Sequence, residues 1–228
     1  MDPEDLFKKI VAGGVAEVDR MVTQKITENF ILDYKLTGRP GKAGGISDKN
    51  REIFSKAVSG FGNAHGGVII WGVDCREKDD GEDIPRSIDP IPTMVAFKSA
   101  LENWTQHATR PVHTGVRHEI LYYPDGEKGL IVTYIPEGIE APYEAQYPAG
   151  DEKFYWRTGS TFTRVDYGPL SRMFGNPRIE AGYGRAVQGR RVRSLSEAGP
   201  ESPFGDWPSS QLPVATLSWV FVSKSAAS

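Results

Sequence analysis

Glu28, Asp33 and Lys35 fall within eight residues of one another, and Asp74 closes an apolar run farther along the chain. Carboxylates and a lysine are the residue types that phosphodiester chemistry uses. Clustered carboxylates hold Mg2+ or Mn2+, which prefer oxygen ligands. Such a metal polarises a phosphate and activates a water, and a lysine neutralises the charge that develops. The residues alone leave plainer roles open. Glu28 taken singly reads as a solvated surface acid. An inward-pointing Asp33 is equally accounted for by a pair with Lys35 or with an arginine. Asp74 at a strand end suits a turn in which its carboxylate bonds its own backbone.

Spacing limits which of these can meet. Residues five apart point to opposite faces of a strand, because the period is two. Glu28 therefore joins Asp33 only from a turn or bulge ahead of the strand, whereas Asp33 and Lys35 share a face. His65 precedes Gly66 and Gly67. Its imidazole can trade protons near neutrality, but a helix cap or backbone bond is the expected role, and Asn63 reads the same way. The cations are scattered. Arg39 and Lys42 lie in a glycine-rich loop, Arg157 and Arg164 bracket a strand end, and Arg110 and Arg117 flank another. Arg185, Arg190, Arg191 and Arg193 cluster near the C-terminus. Each is a candidate phosphate contact, with a solvated surface as the alternative. Tyr34, Tyr155 and Trp156 are candidates for base stacking, with core packing as the main expectation. Cys75 reads as a small buried hydrophobe.

The elements that must position these residues follow from periodicity. Leu6, Phe7, Ile10 and Val11 lie at helical spacing, Gly13 and Gly14 interrupt them, and a second helical stretch covers residues 15–26. Residues 30–36 read as a strand, and residues 37–47 as a loop. Ser47 or Asp48 caps a helix whose buried face is Ile53, Phe54, Ala57, Val58 and Phe61. Residues 68–73 lack alternation, which predicts a central strand covered on both faces, with Asp74 at its end. An acidic loop spans residues 77–83. Residues 94–107 form a helix with Val95, Phe97, Leu101 and Trp104 available for packing. Residues 117–123 and 130–135 form a hairpin, 153–158 a further strand, and 167–174 a last short helix. The expected class is α+β, a mixed sheet with packed helices. The expected division is a helical segment at 1–27, a domain at 28–175 and a Gly/Pro/Arg-rich tail at 176–228, in which only residues 214–222 suggest another strand.

The 228 residues suffice for one domain with a sizeable core. At 39% hydrophobic and 25% charged, the composition is that of an ordinary soluble protein. A net charge of −3 and a pI of about 5.9 exclude a strongly basic, nucleic-acid-coating protein. Any nucleic-acid site must be local. A lone cysteine fits a reducing compartment. The acidic start, Asp2, Glu4 and Asp5, lacks the pattern of a signal peptide. No apolar run reaches the roughly 18 residues of a membrane-spanning helix. The expectation is a cytoplasmic, soluble protein with no membrane contact.

Three blocks resemble the Schlafen AlbA domain family, also described as a divergent AAA-type or DNA-binding domain. The first runs Glu28-Asn29-Phe30-Ile31-Leu32-Asp33-Tyr34-Lys35. The second is a helix end, the turn Asn63-Ala64-His65-Gly66-Gly67, an apolar strand, and Gly72-Val73-Asp74. The third is Tyr155-Trp156-Arg157-Thr158-Gly159-Ser160-Thr161. Together they span about residues 28 to 175. The resemblance implies a metal-dependent endoribonuclease site in which Glu28, Asp33 and Asp74 hold Mg2+ or Mn2+ and Lys35 stands beside them. Arg39, Lys42, Arg157 and Arg164 would then contact nucleic acid. It further implies tRNA- or rRNA-like substrates, RNA favoured over DNA, and a place in antiviral or antiphage defence.

Two departures pull the other way. Asp33 stands where nuclease members usually carry Glu, which shortens its reach by a methylene. The chain also holds one lobe where the eukaryotic nucleases have two, so a clamp on folded RNA would need a homodimer. A non-catalytic DNA- or RNA-binding or regulatory module is the alternative, and a protein-interaction domain the third reading. ATP is not expected. Residues 38–45 carry glycines and a lysine without the spacing or the Ser/Thr of a phosphate-binding loop.

Overall fold

The protein is described from a computed structural model, in which residues 1–37, 46–75 and 84–175 are described. Arg39, Lys42, the acidic loop and the tail with its arginines and expected strand lie outside those residues.

Helix α1 (Pro3–Thr23) opens on Asp2, whose carboxylate accepts from the Glu4 N–H at 2.8 Å. It kinks at Gly14, whose φ of 61° is not helical. Strand β1 (Leu32–Lys35) is shorter than expected, and Phe30 lies outside it, 56% exposed. Helix α2 (Asp48–Gly62) is capped by the Ser47 hydroxyl, which accepts from the Asn50 N–H. Its buried face carries Phe54, Ala57, Val58 and Phe61, with Ile53 half-buried.

Strand β2 (Gly67–Trp71) is buried throughout. The sequence pattern predicts one strand to residue 73, but the chain breaks at Gly72, where φ is 97°. There the Gly72 N–H donates to the Lys35 carbonyl, and the Gly72 carbonyl accepts from Asp89. Strand β3 (Val73–Asp74) therefore pairs with β4 (Ser87–Ile88) instead.

Helix α3 (Met94–Ala108) buries Phe97 and Leu101. Val95 was expected to pack but is 63% exposed, because it sits on the opposite face of the helix. The remaining elements are β5 (Thr109–Arg110), β6 (Arg117–Tyr122), β7 (Gly129–Ile135), β8 (Glu144–Ala145), β9 (Lys153–Thr158), β10 (Thr161–Arg164) and α4 (Tyr167–Gly175).

The fold is α+β. The main sheet has the order β1-β2-β7-β6, with β1 parallel to β2 and the other pairs antiparallel, so it is mixed. On one face α1 packs Leu6, Phe7 and Ile10 with Val68, Ile70, Leu130 and Val132. On the other, Phe54, Phe61, Phe97 and Leu101 pack with Ile69, Trp71 and Ile131. Helices on both faces explain the unbroken apolar character of β2. A second, antiparallel sheet has the order β10-β9-β8-β5. Polar side chains of α2 and of its C-cap, Asn63, fix it in place. Asn63 Nδ2 donates to the carbonyls of Tyr143 at 2.9 Å and Tyr155 at 2.8 Å. The Ser59 hydroxyl accepts from the Tyr155 N–H at 3.0 Å. Asn63 thus has the structural bonding role expected of it. Among the described residues, no helix is long and apolar enough to cross a membrane.

Candidate nucleic-acid interface

Asp33 points inward from β1 and is wholly buried. Arg157, from β9, reaches it: Nη1 donates to Oδ1 at 2.9 Å. Lys35, on the same face of β1, brings Nζ within 2.7 Å of Oδ2. The Arg157 guanidinium also donates to the carbonyls of Asn29 and Leu32. It lies against two rings, with its carbon 4.4 Å from the centre of Phe162 and 5.3 Å from that of Phe61. A planar cation with this many fixed partners has little freedom to turn away.

Glu28 precedes β1, as its spacing from Asp33 required. Its Oε1 accepts from the Tyr34 N–H at 2.9 Å and lies 3.7 Å from Lys35 Nζ. Its Oε2 lies 3.7 Å from Arg157 Nη2. Burial first, and then the neighbouring Asp33 carboxylate, push the Glu28 carboxyl up to about 8. The cations and the Tyr34 N–H pull against that shift without cancelling it. The shift favours the neutral form of Glu28, and Lys35 and Arg157 both face the Asp33 carboxylate.

These side chains form the floor of a cleft of about 730 Å³. Glu28, Asp33, Lys35, Asp74 and Arg157 all line it, as do Tyr34 and Cys75, so the fold brings seven of the residues singled out in the sequence to one place. Asp74 stands on β3, opposite Ser87. The cap Ser47 and the first three turns of α2 form a wall with Lys49, Asn50, Ile53 and Lys56, and the β9–β10 turn contributes Ser160 and Thr161. Lys49, Ile53 and Lys56 are four and three residues apart, the spacing of one helical face. The helical spacing alone assigns Ile53 to the core, whereas it is half-buried and lines the cleft. Lys56 Nζ also lies 5.2 Å from the centre of the Tyr155 ring.

Other candidates lie elsewhere. Arg164 is exposed on β10, opposite Tyr155, and does not line the cleft. His65 is exposed at the α2–β2 turn, 3.9 Å from Glu137. Arg117 pairs with Glu4 and covers Tyr134. Tyr34 borders the cleft, but its side chain is buried in the core, its hydroxyl donating to the Ile26 carbonyl.

As arranged, the floor does not fit a divalent cation. Asp33 Oδ1 and Glu28 Oε1 accept hydrogen bonds from nitrogen, and Asp33 Oδ2, buried without a hydrogen bond, and Glu28 Oε2 lie 2.7 and 3.7 Å from the Lys35 and Arg157 cations, where Mg2+ would need oxygens converging at about 2.1 Å. Among the described residues, no three His, Cys, Asp or Glu side chains are grouped to hold a metal ion.

Residues 32–166, more than half of the chain, match the family described as Schlafen, AlbA_2. The chain belongs to that family. The AlbA_2 match takes in Asp33, Lys35, Asp74 and Arg157, and Glu28 lies just before it. AlbA_2 membership points to nucleic-acid binding. Among solved structures, the AlbA_2 chain is similar to the N-terminal domain of a RecG-related protein from Nitrosomonas europaea, determined by NMR in solution. The two share 20% identity over 73% of this chain and 94% of that one, with a TM-score of 0.38. No curated protein matches the chain.

Proposed function

We propose that this AlbA_2 domain binds nucleic acid in the cleft, by contact with backbone phosphates. The observation that carries the reading is the lining of the cleft. Lys35, Lys49, Lys56 and Arg157 line it against the three carboxylates Glu28, Asp33 and Asp74, and burial shifts the Glu28 carboxyl toward its neutral form. The protein as a whole is acidic, at −3. A local basic cleft in an acidic protein favours a polyanion at that place. Serine and threonine hydroxyls at the β9–β10 turn and the N-terminal turn of α2 add neutral donors of the kind that position phosphates.

A second, finer reading is a metal-dependent endoribonuclease. It is favoured by the meeting of Glu28, Asp33, Lys35 and Asp74 in one cleft. It is opposed by the ion pairing of Asp33 and by the length of its side chain. RNA over DNA is the preference carried by family resemblance, as is a role in defence, and two copies would be needed to enclose a folded RNA.

The test is incubation of purified protein with labelled tRNA and single-stranded DNA, in Mg2+, in Mn2+ and in EDTA, with Asp74→Ala alongside. The expected result is retention of the intact strands, tighter for RNA. Metal-dependent cutting that Asp74→Ala abolishes would replace binding with the second reading. Failure to retain either nucleic acid at low salt would overturn both.

A further inference from the structure

The cleft floor has the acids of a cation site but not its charge balance. Asp33 and Glu28 are met by Arg157 and Lys35, two acids by two bases, at 2.7 to 3.7 Å. The two bases are not equivalent. The Arg157 side chain has no exposed surface, whereas Lys35 keeps 24% of its own. Arg157 is held by three further hydrogen bonds to two carbonyls and by two aromatic rings. Breaking its pair with Asp33 would leave a buried, uncompensated charge, which is strongly unfavourable. A divalent cation would have to displace it or crowd in beside it.

We infer that Arg157 is the resident counter-ion of this cleft, standing where a divalent cation would otherwise neutralise Asp33, and that the floor takes a phosphodiester directly onto Lys35 without a metal. Lys35 is the member able to serve. Its ammonium has three donors, of which one goes to the Tyr34 carbonyl, while Asp33 Oδ2 lies 2.7 Å away as an ion pair without a hydrogen bond. Its exposed flank opens on the cleft. A phosphate oxygen arriving there would share Lys35 with Asp33, while Asp33 keeps its bond to Arg157. The inference about Lys35 rests on the proposed nucleic-acid binding, whereas the inference about Arg157 stands apart from it.

Two measurements on the full chain separate them. The first is Mn2+ binding by electron paramagnetic resonance, for wild type, Asp33→Asn and Glu28→Gln. The expected result is no Mn2+ held by wild type beyond what the variants hold. One Mn2+ per chain, lost in either variant, would overturn the counter-ion role, and Glu28→Gln keeps the comparison open if Asp33→Asn does not fold. The second is binding of a labelled single-stranded RNA in Mg2+ and in EDTA, for wild type and Lys35→Ala. The expected result is the same Kd in both buffers, with the slope of log Kd against log salt smaller by about one in the variant. Binding that EDTA abolishes and Mn2+ restores would overturn the metal-free site. An unchanged slope in Lys35→Ala would remove Lys35 from it. RNA that fails to bind in either buffer would defeat the proposed function and Lys35's part in it, while the Mn2+ result would still decide the role of Arg157.

Discussion

Arg157 Nη1 donates to Asp33 Oδ1 at 2.9 Å across 124 residues of sequence. Both side chains are almost wholly out of water. This bond ties β9 of the second sheet to β1 of the main one and sets the floor of the cleft between them. Removing one partner leaves the other charged and buried. Arg157→Met, which keeps much of the bulk, is expected to destabilise the protein by about 3–5 kcal/mol. Urea denaturation checks the figure. Adding Asp33→Asn to that variant should return part of the loss, because the two effects are not additive when residues share a bond.

His118 makes the fold sensitive to acid. The Thr105 hydroxyl donates to the Leu101 carbonyl, so it accepts from His118 Nε2 at 3.2 Å. The Thr133 hydroxyl accepts from Trp71 Nε1 and lies 2.8 Å from His118 Nδ1, to which it donates. These partners suit one neutral tautomer. Burial, and to a lesser degree Lys98, lower the group to about 3. The unfolded chain takes up the proton near 6.5, so it binds more protons than the folded chain between about 6.5 and 3. Stability should therefore fall as the pH drops through that window. His118→Asn should lower stability at neutral pH but flatten the acid slope, as melting temperature against pH would show. An unchanged slope would refute the assignment.

Gly66 occupies a position that no side chain fits. Its φ is 76°, and an added Cβ would lie 2.8 Å from both the Glu137 nitrogen and the Ile135 oxygen. Gly126 has a similar φ of 70° with nothing within 4 Å. Gly126→Ala should cost about 1–2 kcal/mol through backbone strain alone. Gly66→Ala should exceed it clearly, because the backbone must also move. Paired thermal melts measure the difference, and equal losses would contradict the steric account.

On the proposed reading Lys49 and Lys56, both lining the cleft, contact phosphates. Each alanine substitution should weaken binding alike for different sequences and reduce the salt slope by about one. Melting temperature should change little. Titrations of two unrelated single strands at several salt concentrations check both points.

The sequence makes local relations legible and leaves distant ones dark. Asp33 and Lys35 share a face because a strand repeats every two residues, and that is how they stand. The buried face of α2 and the cap at Ser47 also follow from short-range spacing. The plainer reading of Asp33, as the partner of Lys35 or an arginine, matches its contacts, but nothing in the spacing chooses Arg157 over other arginines. That choice is made when Ser59 and Asn63 pin the second sheet against α2. The break at Gly72 escaped because an apolar run looks the same whether or not one glycine turns it. Strands β4, β5 and β8 have two residues each, too few to show a period.

The central claim is that the cleft takes up nucleic acid through its cations. Charge reversal tests it most directly: fluorescence anisotropy of a labelled single-stranded RNA, titrated with wild type and with the double variant Lys49→Glu, Lys56→Glu, at low salt. The account predicts saturable binding that weakens steeply as salt rises, and loss of that binding in a variant that melts at the wild-type temperature. Equal binding by the two proteins, or none by wild type, would contradict it.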